Sequence, residues 1–238
     1  MIPLDDANPT RIRPYVTWSI IALCCAVFVY QFLLGADQRG GEALVAALGV
    51  IPAVVLGRES LPADIALVPP AATLITSMFL HGGFMHLAGN MLYLWVFGNN
   101  VEDAMGHGRF VIFYLLCGVG AAAAQIVVDP SSVAPMIGAS GAISGVLGAY
   151  LLLYPRARVL LALPPPFIFI TIGRYPAVFV LGIWFVMQFL MIASQSAQAA
   201  AAPGGNGVAF AAHIGGFIAG MLLIPFFKSR DVPLWRAT

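Results

Sequence analysis

The chain has 238 residues, 61% of them hydrophobic and 9% charged, with a net charge of +1 and a mean hydropathy of +0.93. Soluble domains carry about 25% charged residues, so this is the composition of an integral membrane protein living in a lipid bilayer. The near-neutral balance and the lack of a basic run give no reason to expect a nucleic-acid partner.

Residues 1–14, with Asp5 and Asp6 ahead of the first apolar run, read as a cytoplasmic N-terminal segment. No small-residue cleavage pattern follows that run, so it is expected to be retained rather than removed as a signal peptide. Apolar segments fall at 15–34, 84–101, 110–128, 141–154, 176–193 and 208–227. Most approach the ~20 residues a spanning helix needs. Backbone in lipid must satisfy its own hydrogen bonds, and no alternating ten-residue segments suggest a barrel. The expectation is an all-α polytopic bundle of six transmembrane helices over 15–227, followed by a cytoplasmic tail at 228–238. Cys24, Cys25 and Cys117 all lie in apolar segments, where buried thiols are expected rather than disulfides.

Between the segments, Arg11, Arg13, Arg109, Arg156, Arg158, Arg174, Lys228, Arg230 and Arg236 fall on one side and Arg39 and Arg58 on the other. This asymmetry puts both termini in the cytoplasm. The compact chain, without an organellar presequence, suggests a bacterial inner membrane. The outer stretch 35–73, rich in proline and aliphatic residues, reads as a compact piece at the membrane surface. A second outer stretch, 194–207, is small and polar and reads as a mobile cap or gate. On the inner side, Leu-Pro-Pro-Pro-Phe at 163–167 should prevent a continuous helix across 159–172, which is expected to be interfacial.

The chemistry gathers around Ser140, in Ile-Gly-Ala-Ser-Gly-Ala-Ile-Ser-Gly at 137–145. Gly138 and Gly141 would let backbone or substrate approach its hydroxyl, although small residues also serve plain helix packing. The segment that follows is only 14 residues, covering roughly 21 Å of a ~30 Å core. Ser140 is thereby expected roughly 9 Å below the outer boundary, at a helix N-terminus whose free N–H groups suit a developing oxyanion. By the same counting His213 and His86 lie roughly 8 Å deep and Asn90 roughly 13 Å. His213 is followed by Gly216 and Gly220, a face that would pack on Gly141, Gly145 and Gly148 and bring His213 to Ser140 as general base. His86 and Asn90, four apart, share a helix face and could donate hydrogen bonds near the serine, or simply pair between helices. No HExxH motif occurs, and His81 and His86, five apart, would not share a face of one helix, so no metal site is expected. His107 reads as a solvated residue of a cytoplasmic turn. Gly98, Glu102 and Gly106 repeat every four residues; Glu102, some 20 Å from the serine by helix rise, reads as structural.

Ser140 in Gly-Ala-Ser-Gly, His213 with Gly216 and Gly220, His81 with His86 and Asn90, and Gly98/Glu102/Gly106 together resemble the rhomboid family of intramembrane serine proteases, across all six segments in order. The resemblance implies a Ser140–His213 dyad without a third carboxylate. It also implies an oxyanion site built from the Ser140 N–H with His86 and Asn90, no cofactor, and single-pass transmembrane protein substrates cut near the outer face. The Trp-Arg pair that some members carry in the first outer loop is not found here, and Ser144, one turn after the nucleophile, cannot stack on the histidine as an aromatic would. Two other readings stand beside this one. A catalytically silent rhomboid-like protein that binds membrane helices would need neither Ser140 nor His213. A transporter would be expected to carry a charge within the bundle.

Overall fold

The computed structural model describes residues 2–35, 38–163, 170–201 and 209–236. Its helices follow the apolar segments. The first, α1 (Tyr15–Leu34), begins after Pro14 and ends at Gly35. Helix α5 (Phe84–Tyr93) passes through a π-turn at Leu94–Gly98 into α6 (Asn99–Met105) without leaving helical backbone. Gly106, at φ +83°, then breaks the rod, and His107 opens α7 (His107–Val128). The short helix α8 (Ser140–Leu153) stops two residues before Pro155, whose ring cannot continue it. Helices α9 (Ala177–Ala201) and α10 (Phe210–Phe227) complete the bundle.

Helices α1, α7 and α10 are long and apolar enough to cross a membrane, whereas α8 and the apolar part of α9, Ala177–Met191, are shorter. The polarity of the fold is that of a protein in lipid. Phe32, Val127 and Phe226 are largely exposed, while Glu102, Asn100 and Gln188 are buried.

In the outer stretch, α2 (Gln38–Leu48) and α3 (Pro52–Val55) bury Leu44, Ala47, Val50 and Ile51, which makes the segment compact. Val50 and Met136 exchange backbone hydrogen bonds of 3.0 and 2.8 Å, tying it to the loop ahead of α8. A further helical run follows, α4 (Thr73–Thr76) between 3-10 turns at Pro70–Ala72 and Ser77–Phe79. The stretch expected as a cap, 194–207, is helical as far as Ala201, because its alanines favour helix and simply extend α9. Residues 202–207 of that expectation lie outside the described residues.

A three-stranded antiparallel sheet joins the helices at one end: β1 (Ile2–Asp6), β2 (Arg158–Leu163) and β3 (Ile170–Pro176), in that order. Ile2 pairs with Ala162 and Arg158 with Pro176. The described parts of 159–172 are therefore strands, and the proline run at 164–166 lies outside the described residues. The C-terminal segment meets the same end: Ser229 donates its N–H to the Ala104 carbonyl (2.8 Å) and Trp235 to the Leu152 carbonyl (2.7 Å). Arg11 spans the two tails, its Nε 3.3 Å from Asp103 and an Nη 3.1 Å from Asp231. Asp6, at the end of β1, accepts from Asn100 Nδ2 (2.9 Å) and from the Tyr150 hydroxyl near the end of α8. Burial lifts the Asp6 carboxyl from 3.8 to about 6, against the lowering effect of those hydrogen bonds.

Candidate active site

Helices α8 and α10 touch backbone to backbone. A Cβ at Gly220 would stand 1.9 Å from the Gly145 carbonyl oxygen, one at Gly216 2.0 Å from that of Gly141, and one at Gly148 2.2 Å from that of Phe217. Only glycine permits this approach, and it sets the relative height of the two helices.

At that height the His213 Nε2 lies 2.7 Å from Ser140 Oγ. Ser140 is the first residue of α8, so its N–H has no carbonyl one turn back within the helix. The chain enters through Gly138 at φ +124°, a conformation side chains rarely adopt; a Cβ there would also lie 2.9 Å from the His86 ring. Gly141 packs on α7, where a Cβ would meet that of Ala121 at 2.6 Å. Ser144, one turn on, donates its hydroxyl to the Ser140 carbonyl at 2.6 Å.

The rings beside His213 come from elsewhere than one turn after the serine. Trp184 of α9 lies 6.1 Å from it between centroids, tilted by 38°, and Phe210 meets it edge-on at 6.0 Å. Position 144 needs no aromatic when α9 and α10 each supply one. Gln188 of α9, which no sequence motif marks, places Oε1 2.8 Å from His213 Nδ1. The only signal for it was an amide in the middle of an apolar segment, an expensive residue to hold in lipid.

Ser140, His213, His86, Asn90, Gly138 and Trp184 line one cavity of about 890 Å³. The Gly82 N–H donates to His86 Nδ1 at 3.3 Å, which leaves the proton of the neutral ring on Nε2. That nitrogen is the one against Gly138, beside the serine. Asn90 is buried, and among the described residues its Nδ2 has no hydrogen-bond partner. The cavity thus brings together a serine hydroxyl in hydrogen-bond contact with a histidine, the His86 ring, and an Asn90 amide N–H that has no partner among the described residues.

His81 lies just before α5, outside the helix, so its ring reaches that of His86 after all, at 5.3 Å and 68°. It is buried, with Nδ1 3.3 Å from the Phe79 carbonyl and its backbone joined to the Gln31 side chain. Glu102 is remote from the cavity. Fully buried, it accepts from the N–H groups of Val16 (2.9 Å) and Thr17 (2.7 Å) and from the Thr17 hydroxyl (2.6 Å), so its charge caps the first turn of α1. His107, read from sequence as a solvated turn residue, is exposed at the first position of α7, and its Nδ1 also bonds Glu102 at 2.6 Å, fastening α7 to the same carboxylate.

A family model described as Rhomboid domain matches residues 70–230. The chain belongs to the rhomboid family. Among curated proteins it is similar to rhomboid protease GluP of Bacillus subtilis, 47% identical over 78 residues that make up 33% of this chain and 15% of that one. Rhomboid protein 1, mitochondrial, of Saccharomyces cerevisiae is 32% identical over 154 residues, 63% of this chain and 40% of the yeast protein. The presenilin-associated rhomboid-like protein, mitochondrial, of Mus musculus is 35% identical over 98 residues, 40% of this chain and 26% of the mouse protein. The matches span less than half of each relative. A membrane rhomboid, protease or rhomboid-like protein, is what these findings support. Since several relatives are named mitochondrial, they do not support the expectation of a bacterial inner membrane over other membranes.

Proposed function

We propose that this rhomboid chain is an intramembrane serine endopeptidase that cuts transmembrane helices near the outer face, with both termini on the cytoplasmic side. The observation that carries the reading is the 2.7 Å contact between Ser140 Oγ and His213 Nε2 inside a cavity. A serine hydroxyl is a weak nucleophile until a base within hydrogen-bond reach takes its proton.

In the proposed reaction Ser140 Oγ attacks the scissile carbonyl carbon as its proton passes to His213 Nε2. The oxyanion is met by the His86 Nε2–H, the Asn90 amide and the Ser140 N–H. These fixed donors act where water is scarce and charge develops. The carbon–nitrogen bond then breaks, the leaving amine takes the proton from His213, and an ester to Ser140 remains. Water, deprotonated by His213, attacks that ester and releases the new carboxylate end and the serine. A substrate helix must unwind first, because a helical carbonyl is hydrogen-bonded and shielded.

The test is cleavage of a panel of single-pass substrates by protein reconstituted in lipid. The parent is expected to cleave, and Ser140→Ala to show none. A fluorophosphonate probe is expected to label Ser140 in the parent and to fail in His213→Ala. Cleavage surviving in Ser140→Ala overturns the serine mechanism; a parent that neither cleaves nor labels is a helix-binding protein instead.

A further inference from the structure

We infer that Gln188 is a positioning residue that sets the tautomer of His213, making the pair at Ser140 the working end of a Ser140–His213–Gln188 chain. The role in rate rests on the protease reading above; the tautomer rests on geometry alone. Gln188 is buried on α9, a helix that carries neither the serine nor the histidine. Its Nε2 lies 3.1 Å from the Trp184 carbonyl oxygen. A carbonyl can only accept, so the amide nitrogen must be the group that faces it. This fixes the amide orientation, and Oε1 is then the atom 2.8 Å from His213 Nδ1. An amide oxygen is also only an acceptor, so the neutral imidazole carries its proton on Nδ1. Nε2 is left with a lone pair aimed at the Ser140 hydroxyl, 2.7 Å away, which is the state a general base needs.

Without an acceptor at Nδ1 the ring could place its proton on Nε2 and donate to the serine, and such a ring cannot remove the serine proton. Trp184 supports the same arrangement twice, its carbonyl holding the amide and its indole lying beside the imidazole. A neutral amide does this work without burying a carboxylate in the bundle, whose desolvation would be costly.

The experiment uses the full chain in lipid, with Gln188→Met, which keeps length and volume but removes the strong acceptor, and Gln188→Glu, which keeps an acceptor and adds charge. Nitrogen-15 NMR of the protein labelled in its four histidines reads the tautomer whether or not the protein cleaves anything. The expected result is a His213 protonated at Nδ1 in the parent and a mixed or Nε2-protonated ring in Gln188→Met. In the cleavage assay, Gln188→Met is expected to lower kcat by about ten- to a hundredfold with little change in KM. Gln188→Glu should recover most of that rate and move the acid limb of kcat/KM to higher pH, since a carboxylate beside the ring favours the imidazolium. An Nε2-protonated His213 in the parent overturns the inference. So does a Gln188→Met with parental tautomer and kcat, or an equal loss in both variants with the acid limb unmoved. A parent that shows the Nδ1 proton but takes no fluorophosphonate overturns the protease reading and leaves the tautomer assignment intact.

Discussion

Asn90 holds a buried N–H pair with no partner among the described residues, a cost of about 1–3 kcal/mol for a group of that kind. Such a cost is sensible if a transient negative oxygen collects the hydrogen bond. Asn90→Ala and His86→Ala are each expected to lower kcat by about 10²–10³, the usual loss for one oxyanion donor, while KM moves little. Steady-state kinetics on a single substrate check this, and a change confined to KM would assign both residues to binding. Ser140, His213 and His86 were legible as a group because each sits at a matching depth in its own helix, and Asn90 followed because it lies one turn beyond His86 on the same face of α5. Gln188 was not, since its meaning depends on which way α9 is turned. A lone glutamine in an apolar run has no partner at helical spacing to betray it.

At the scale of elements, the contact between α8 and α10 is held by the absence of side chains. Gly220→Ala would drive a methyl group into the Gly145 carbonyl and is expected to destabilise by about 1–3 kcal/mol, with cleavage lost as His213 moves off the serine. Thermal unfolding in lipid measures the first effect. Gly182→Ala on α9, where a Cβ meets nothing within 4 Å, is the comparison expected to melt like the parent. The join between β1 and α8 carries a different signature. The Asp6 carboxyl is raised from 3.8 to about 6 by burial, so the folded protein holds that proton more tightly than the unfolded chain. Its contribution is full below about pH 4 and is lost as pH rises through about 6. The melting temperature of the parent should fall across that window more steeply than that of Asp6→Asn. Equal slopes would assign the pH dependence to other groups. The helices were readable because apolar runs of spanning length leave the backbone few alternatives. The sheet was not, because a proline run separates β2 from β3 and the strand that completes them, β1, lies far away in sequence, ahead of α1.

For the molecule as a whole, the polar contacts of both tails gather at one end and the compact α2–α3 stretch at the other end of the same helices. Cysteines introduced at Ala7 and Ser229 are expected to react together with an impermeant maleimide added from one side of sealed vesicles, and one at Glu59 only from the opposite side. A split between Ala7 and Ser229 would overturn the shared side assigned to the termini. Of the native thiols, Cys24 and Cys117 are buried, and the half-buried Cys25 is replaced by serine in these variants.

The foot of α8 also sets an order of assembly. Its Tyr150 bonds to Asp6, near the start of the chain, and the carbonyl of Leu152 accepts from Trp235, near its end. During synthesis β1 has no edge to join until Arg158–Leu163 has emerged, so the first residues must wait beside the membrane while several helices are inserted. The last fastening waits longer still, for residues beyond α10. The helix that begins at Ser140 is therefore secured at its far end only once Trp235 has emerged, and a ribosome-bound fragment that stops short of that residue, however many of its helices are already in place, would carry the serine on a helix still loose at its base.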